Sequence, residues 1–296
     1  MDIKAYIGSR KQLVDVFLQS YFSVPFQPKK LHESVIYSLS AGGKRIRPVL
    51  CIAAFEACGG SADDVVPYAT ALELIHTYSL IHDDLPAMDD DDLRRGKPTN
   101  HVAFGEGMAI LAGDALLTEA FVLLSDPRFR TAAMTDGQVL RVVNEISFAA
   151  GEEGMVAGQA QDLLSENAEP DAKTLSFIHA HKTAALLRAS VVSGGILAGA
   201  DADQLDLLRS YGQNIGIAFQ VVDDILDVVG ETGVIGKTAG SDEKKKKMTY
   251  PKLYGVEQSK QKAEELIAAA IDALSSFDEK AEPLRALARY LAKRTS

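Results

Sequence analysis

Two clusters of aspartate, each attached to a strongly apolar stretch, constrain this chain more than anything else in it. The first lies in LELIHTYSLIHDDLPAMDDDD and carries Asp83, Asp84 and Asp89; the second lies in GIAFQVVDDILDVVG and carries Asp223, Asp224 and Asp227. A carboxylate beside buried apolar residues is costly unless a cation neutralises it. The fold must therefore supply cations to both clusters, most simply as two walls of one cavity. Hard carboxylate oxygens suit Mg²⁺, which keeps waters and shares its coordination with substrate phosphates.

The clusters differ in geometry. Asp223, Asp224 and Asp227 stand at i, i+1 and i+4, within about 100° of one another on a helix, so they can face one metal centre. Asp83 and Asp89 are separated by about 240° around an ideal helix. Pro86 lies between them and cannot donate to the helix ladder. The helix is expected to end or kink there, with Asp89 folding back toward Asp83.

The remainder reads as helix. Apolar residues recur at three- and four-residue spacing over 31–39, 47–58, 67–82, 108–124, 140–148, 175–197, 203–229 and 259–277, and β-type alternation is scarce. Gly59-Gly60, Pro86, Asp126-Pro127, Gly151, Gly199 and Pro251 punctuate these segments. The expected architecture is all-α, one domain over residues 1–296, with the SDEKKKK run at 241–247 as a solvated loop. A net charge of −10 argues against nucleic acid or an anionic membrane as the main partner, so an anionic substrate would need local cations. Cys51 and Cys58, about 10 Å apart on one helix, are too distant to bridge. They read as reduced thiols, and with no second cysteine pair a zinc site is not expected. The N-terminus lacks the apolar core of a signal peptide, and the apolar stretch 183–200 is broken by Arg188 and Gly194-Gly195. The expectation is a cytoplasmic protein without a stable membrane anchor.

Cations lie near both clusters in the sequence. GGKRIRP places Lys44 and Arg47 at a helix start, where free N–H groups already favour anions. It is not a Walker A loop, because Arg45 follows the lysine where Ser or Thr is needed. Arg94 and Arg95 follow directly on the first cluster and can grip phosphate oxygens bidentately. His76, seven residues before Asp83, shares its helix face. His82-Asp83 also resembles the metal dyad of an HD-type phosphohydrolase, but His179 and His181 point to different faces of a helix and supply no further set.

LIHDDLPAMDDDDLRRGKPTNH, with GGKRIRP before it and FQVVDDILD after it, closely resembles the trans-prenyl diphosphate synthases, nearest to the bacterial farnesyl diphosphate synthase (geranyltranstransferase) branch. The resemblance runs from about residue 42 to about residue 254 with all motifs in order. It implies a helical bundle around a deep central cavity, a homodimer, and three Mg²⁺ ions per site, with Mn²⁺ as a substitute. It further implies Asp83 and Asp89 as metal ligands supported by Asp84, and Asp223 as a ligand with Asp224 and Asp227 beside it. Lys44, Arg47, His76 and Arg95 would hold isopentenyl diphosphate. Arg94, Lys182 and Lys237 would hold the allylic diphosphate, Thr183 and Gln220 would face the reacting carbons, and Lys247 would close over the site.

The implied reaction ionises an allylic diphosphate and couples the cation to isopentenyl diphosphate. Developing charge on the leaving group needs fixed cations, and the allylic cation needs a dry, positioned partner. Tyr78, five residues before Asp83, occupies the place where the family uses a bulky ring as a pocket floor. With the Pro86-Ala87 spacer, this fits the fifteen-carbon farnesyl product. Geranyl and geranylgeranyl diphosphate synthases share every catalytic part and remain alternatives. A terpene cyclase would normally replace the second motif, and a non-catalytic synthase subunit would normally lose an aspartate motif.

Overall fold

The computed structural model describes residues 1–166, 168–169, 171–229 and 247–293. The chain begins with α1 (Ile3–Tyr21), α2 (Lys29–Leu39), α3 (Ile46–Ala57) and α4 (Ala62–Asp83). A two-stranded antiparallel ribbon follows, β1 (Leu93–Arg94) with β2 (Lys97–Pro98). Then come α5 (Asn100–Phe104), α6 (Glu106–Ser125), α7 (Asp136–Ala150), α8 (Met155–Leu164) and α9 (Ala172–Ile178). A π-helical segment, His179–Ala184, leads into α10 (Ala185–Leu197) and the long α11 (Ala202–Val229). The chain continues through α12 (Tyr250–Tyr254), α13 (Val256–Ala273) and α14 (Glu282–Ala292). Helix accounts for 76% of the structure, so the all-α expectation holds.

Local sequence explains the ends. Asp2 caps α1 by accepting from the Lys4 and Ala5 amides, and Thr135 with Gln138 forms a reciprocal capping box at α7. α4 ends at Asp83 because Pro86 cannot continue the ladder. The predicted segments fall on helices α2, α3, α4, α6, α7, α9 with α10, α11 and α13. Helices α1, α8 and α14 and the short α5 and α12 were not anticipated.

α4 is buried on nearly every side, from Val65 through Ile75, and forms the spine of one core with α1 and α6. A second core joins α3, α11, α13 and α14. Two glycines set the layering around the π segment. A Cβ on Gly158 of α8 would meet the Lys182 backbone at 2.0 Å, and one on Gly216 of α11 would meet Ala184 Cα at 2.7 Å. The π segment is thus held in backbone contact with α8 on one side and α11 on the other.

By length and composition α6 is apolar enough to cross a bilayer, a property the sequence reading did not flag. It lies in the bundle, where His82 Nε2 donates to the Ile110 carbonyl at 3.0 Å. Its outer face leaves Ile110, Leu111 and Val122 exposed.

Candidate active site

The first aspartate cluster folds as its spacing requires. Beyond the end of α4, the Asp89 amide donates to the Asp83 carbonyl at 2.8 Å, and Asp90 takes a left-handed conformation with φ of 51°. The return brings Asp89 back beside Asp83. Asp83 Oδ1 accepts from Gln159 Nε2 at 2.6 Å. Asp89 accepts from Lys247 Nζ at 2.8 Å, and the same ammonium lies 3.7 Å from Asp162. Lys182 Nζ reaches Asp162 at 2.6 Å. Burial opposes the charge on Lys247, but Asp162, Asp89 and Asp83 outweigh it and hold the ammonium above its ordinary pKa. Gln159 and Asp162, both on α8, were not identified from the sequence. Their signal is weak: two polar residues in GQAQD, three apart, inside a short helix whose apolar period is broken.

Asp84 is turned to a different task. It accepts from Arg94 Nε at 2.7 and 2.8 Å and also pairs with Arg94 Nη2. Burial raises the Asp84 pKa, with Arg94 pulling the other way. Arg94, expected to hold an allylic diphosphate, here spends at least two of its nitrogens on this pair.

The second cluster stays on an unbroken helix. Gln220 links it to the π segment: Thr183 Oγ1 donates to Gln220 Oε1 at 2.7 Å, and Gln220 Nε2 donates to Asp224 Oδ1 at 2.9 Å. Asp224 Oδ2 accepts from the Tyr250 amide at 2.9 Å and lies 3.2 Å from His179 Nε2. Asp224 and Asp227 are buried, whereas Asp223 is half-buried and its charge is felt by Arg47. Of the three carboxylates expected to face one centre, the helix buries two and leaves Asp223 the most accessible. A continuous chain of contacts joins the two clusters: Gln220 to Thr183, its neighbour Lys182 to Asp162, Asp162 to Lys247, and Lys247 to Asp89.

The basic residues assemble at the GGKRIRP turn. Arg45, at φ of 51°, is buried and pairs with Asp15 at 2.9 Å, Glu73 at 2.8 Å and the Leu39 carbonyl at 2.7 Å. It thereby ties the turn to α1, α2 and α4. Gly43 has φ of +136°, a conformation that favours glycine, and a Cβ there would meet the Arg95 guanidinium at 2.7 Å and push it aside. Arg95 Nη1 donates to the Gly42 carbonyl. Among the described residues, the buried Arg47 Nε has no hydrogen-bond partner. Burial, with Arg95, lowers the Arg47 pKa to about 10 against the pull of Glu73 and Asp223. Burial and then Arg47, Arg95, Arg94 and Arg45 push His76 well below its ordinary value, leaving it neutral. Lys44 is exposed and lines a cleft with Ile46, Leu50, Phe219 and Tyr290. A buried guanidinium N–H without a partner, in a ring of like charges at a helix start, is what an anion would satisfy.

Tyr78 is buried, edge-on to His82 with ring centroids 5.8 Å apart. Lys237 lies outside the described residues. No three His, Cys, Asp or Glu side chains gather about one point among the described residues. Mg²⁺ does not require this, since one or two carboxylates plus water and phosphate suffice. The half-buried Asp83 and Asp223 and the buried Asp89, hard oxygen donors with a Lys ammonium already paired to Asp89, fit that ion.

A model of the polyprenyl synthetase family matches residues 28–287. The chain belongs to that family. It is 51% identical to a chloroplastic geranylgeranyl pyrophosphate synthase of Catharanthus roseus, over 99% of this chain and 82% of the relative. It is 48% identical to a dimethylallyltranstransferase of Fischerella ambigua, over 98% of this chain and 83% of that one. The crystal structure of an FPP/GFPP synthase from Zymomonas mobilis superposes with a TM-score of 0.86 at 36% identity, covering 98% of this chain and 99% of that chain. The family member described here is accordingly an all-α trans-prenyltransferase of isoprenoid biosynthesis.

Proposed function

We propose that this prenyltransferase condenses isopentenyl diphosphate head-to-tail with allylic diphosphates and releases geranylgeranyl diphosphate. The observation that carries the diphosphate assignment is the buried Nε of Arg47, partnerless among the described residues, beside His76 and Arg95. Together with Lys44, these residues would hold the diphosphate of isopentenyl diphosphate. Neutral His76 contributes a hydrogen bond rather than a charge. Lys182, Arg94 and Lys247, beside the first cluster, receive the allylic diphosphate. Asp83, Asp89 and Asp223 would hold Mg²⁺, which when bound neutralises the allylic diphosphate as leaving group. Thr183 and Gln220 fix each other by their hydrogen bond and present oxygen to the reacting carbons. Apolar residues of α4 above Asp83 exclude water while the two substrates are held in contact. The departing diphosphate takes the proton lost after coupling.

The twenty-carbon product is supported by relatives such as the Catharanthus synthase, 51% identical along nearly the whole chain. A second reading, the fifteen-carbon farnesyl product, is favoured by one observation: the buried ring of Tyr78 beneath Asp83. Incubation of purified protein with isopentenyl diphosphate and each allylic starter, with and without Mg²⁺, tests both. Extension that stops at fifteen carbons removes the first reading, and no Mg²⁺-dependent product removes both.

We also propose a homodimer. Leu111 and Val122 on α6, with Leu140 and Phe148 on α7, form exposed apolar surface that a second copy would cover. Sedimentation as a monomer at working concentration would exclude this.

A further inference from the structure

We infer that His179, Asp224 and the Tyr250 backbone form a positioning clamp, which holds Lys247 on the first aspartate cluster in register with the Thr183–Gln220 pair of the second. The inference rests on the prenyl-transfer reading of the site and gives Asp224 a role other than metal ligation. An ionised carboxylate offers about four lone-pair sites. Asp224 accepts two hydrogen bonds from the protein, from Gln220 Nε2 and the Tyr250 amide, each at 2.9 Å, and His179 Nε2 stands 3.2 Å away. These groups come from α11 itself, from the first residue of α12 and from the π segment. Asp224 is only 2% exposed and His179 only 3%. The His179 ring also stacks on the Tyr250 ring, with centroids 5.7 Å apart and 27° between planes. Tyr250 is thus fixed twice, its amide to Asp224 of α11 and its ring on His179 of the π segment.

The consequence reaches Lys247 through the chain. Lys247 is three residues before Tyr250, and an extended chain covers at most about 3.6 Å per residue. Pinning the Tyr250 amide to Asp224 therefore confines the Lys247 backbone to a small region. From there its ammonium meets Asp89 at 2.8 Å and stands 3.7 Å from Asp162. The same Asp224 orients Gln220, which orients Thr183. One carboxylate thereby sets both the cation on the opposite cluster and the polar pair facing the reacting carbons. π segments are rare and recur at functional sites. Here the π segment carries His179 and Thr183, both buried; Thr183 hydrogen-bonds to α11 and His179 lies 3.2 Å from its Asp224.

The test compares His179→Ala, His179→Gln, Asp224→Asn and Asp223→Asn. Lys247 is pulse-acetylated in each, and the modified peptide is measured by mass spectrometry against its thermal melting control. Lys247 should be protected in the parent and in His179→Gln, whose amide can replace Nε2, and acetylated several-fold faster in His179→Ala and Asp224→Asn. Turnover should fall about tenfold or more in those two variants through misplacement of reacting groups. Their Mg²⁺ concentration for half-maximal rate should stay at the parent value, whereas Asp223→Asn should raise it. Unchanged Lys247 acetylation in His179→Ala and Asp224→Asn overturns the clamp. So does an Asp224→Asn shift in Mg²⁺ requirement as large as that of Asp223→Asn. The acetylation readout needs no turnover, so failure of the clamp is separable from failure of the prenyl-transfer reading.

Discussion

The two aspartate clusters use the same residue in opposite ways. On α4 the helix is broken by Pro86, and the carboxylates scatter to separate partners: Asp83 to an amide, Asp84 to an arginine, Asp89 to a lysine. On α11 the helix is unbroken, and Asp224 is gripped by a backbone amide, a glutamine and a histidine. The first wall is neutralised by long, rotatable cations that a substrate and its metal can exchange. The second is locked into the core and leaves Asp223 as its more accessible carboxylate. A diphosphate needs both properties, one wall that reorganises around it and one that keeps the carbon skeleton in place.

The sharpest test of this asymmetry is activity. Asp83→Ala and Asp223→Ala should each cut product formation on the order of 10²–10³-fold in a timed extraction assay, because each removes charge stabilisation from the transition state. Near-parent rates in both would mean that neither wall holds the leaving group. Next in size is Lys247→Met, which removes the ammonium paired with buried Asp89 and leaves Asp162 to Lys182. Removing one partner of a buried pair costs about 3–5 kcal/mol, so its urea midpoint should fall clearly without Mg²⁺. Added Mg²⁺ should restore part of that loss, since a ligand that binds only the folded state stabilises it. An unchanged midpoint would show that the first wall does not depend on its lysine.

The asymmetry also explains what the sequence made legible. Period and punctuation located the main helices, and the Pro86 break predicted the return of Asp89. Helix α8 escaped because its inward face carries Gln159 and Asp162, so it lacks the apolar stripe that marks a helix. α1 and α14 join the cores through contacts remote in sequence. The pairs that define the walls, Asp89 with Lys247 and Asp224 with His179, link positions far apart in the chain, which no local spacing encodes. The motif identified Asp224 as an acid beside a metal ligand; only packing reveals that two protein donors already hold it, with His179 against it.

Tyr78 carries the comparison into product length, because it belongs to the first wall and sits a turn and a half beneath Asp83. Tyr78→Ala should shift the products toward longer chains on chromatography of the hydrolysed prenols. It should also cost about 3–5 kcal/mol as a core truncation, so melting must be followed in parallel. A folded variant with the parent product distribution would remove the ring as the floor and leave the relatives' twenty-carbon product unopposed.

The smallest effect concerns the cations between the walls. In the folded protein His76 is held well below its ordinary pKa by burial and four arginines, so it stays neutral where an unfolded histidine would charge. The unfolded state then binds more protons as pH falls past about 6.5, and stability is lost on the acid side. Above that pH the folded and unfolded imidazoles are both neutral, and no difference exists. His76→Gln cannot take up this proton. Its urea midpoint should therefore fall less than the parent's between pH 7 and pH 5, with the two curves running parallel above pH 7. Parallel curves over the whole range would mean that His76 charges in the folded protein, and that the arginine cluster is less tightly enclosed around it than the partnerless Arg47 Nε implies.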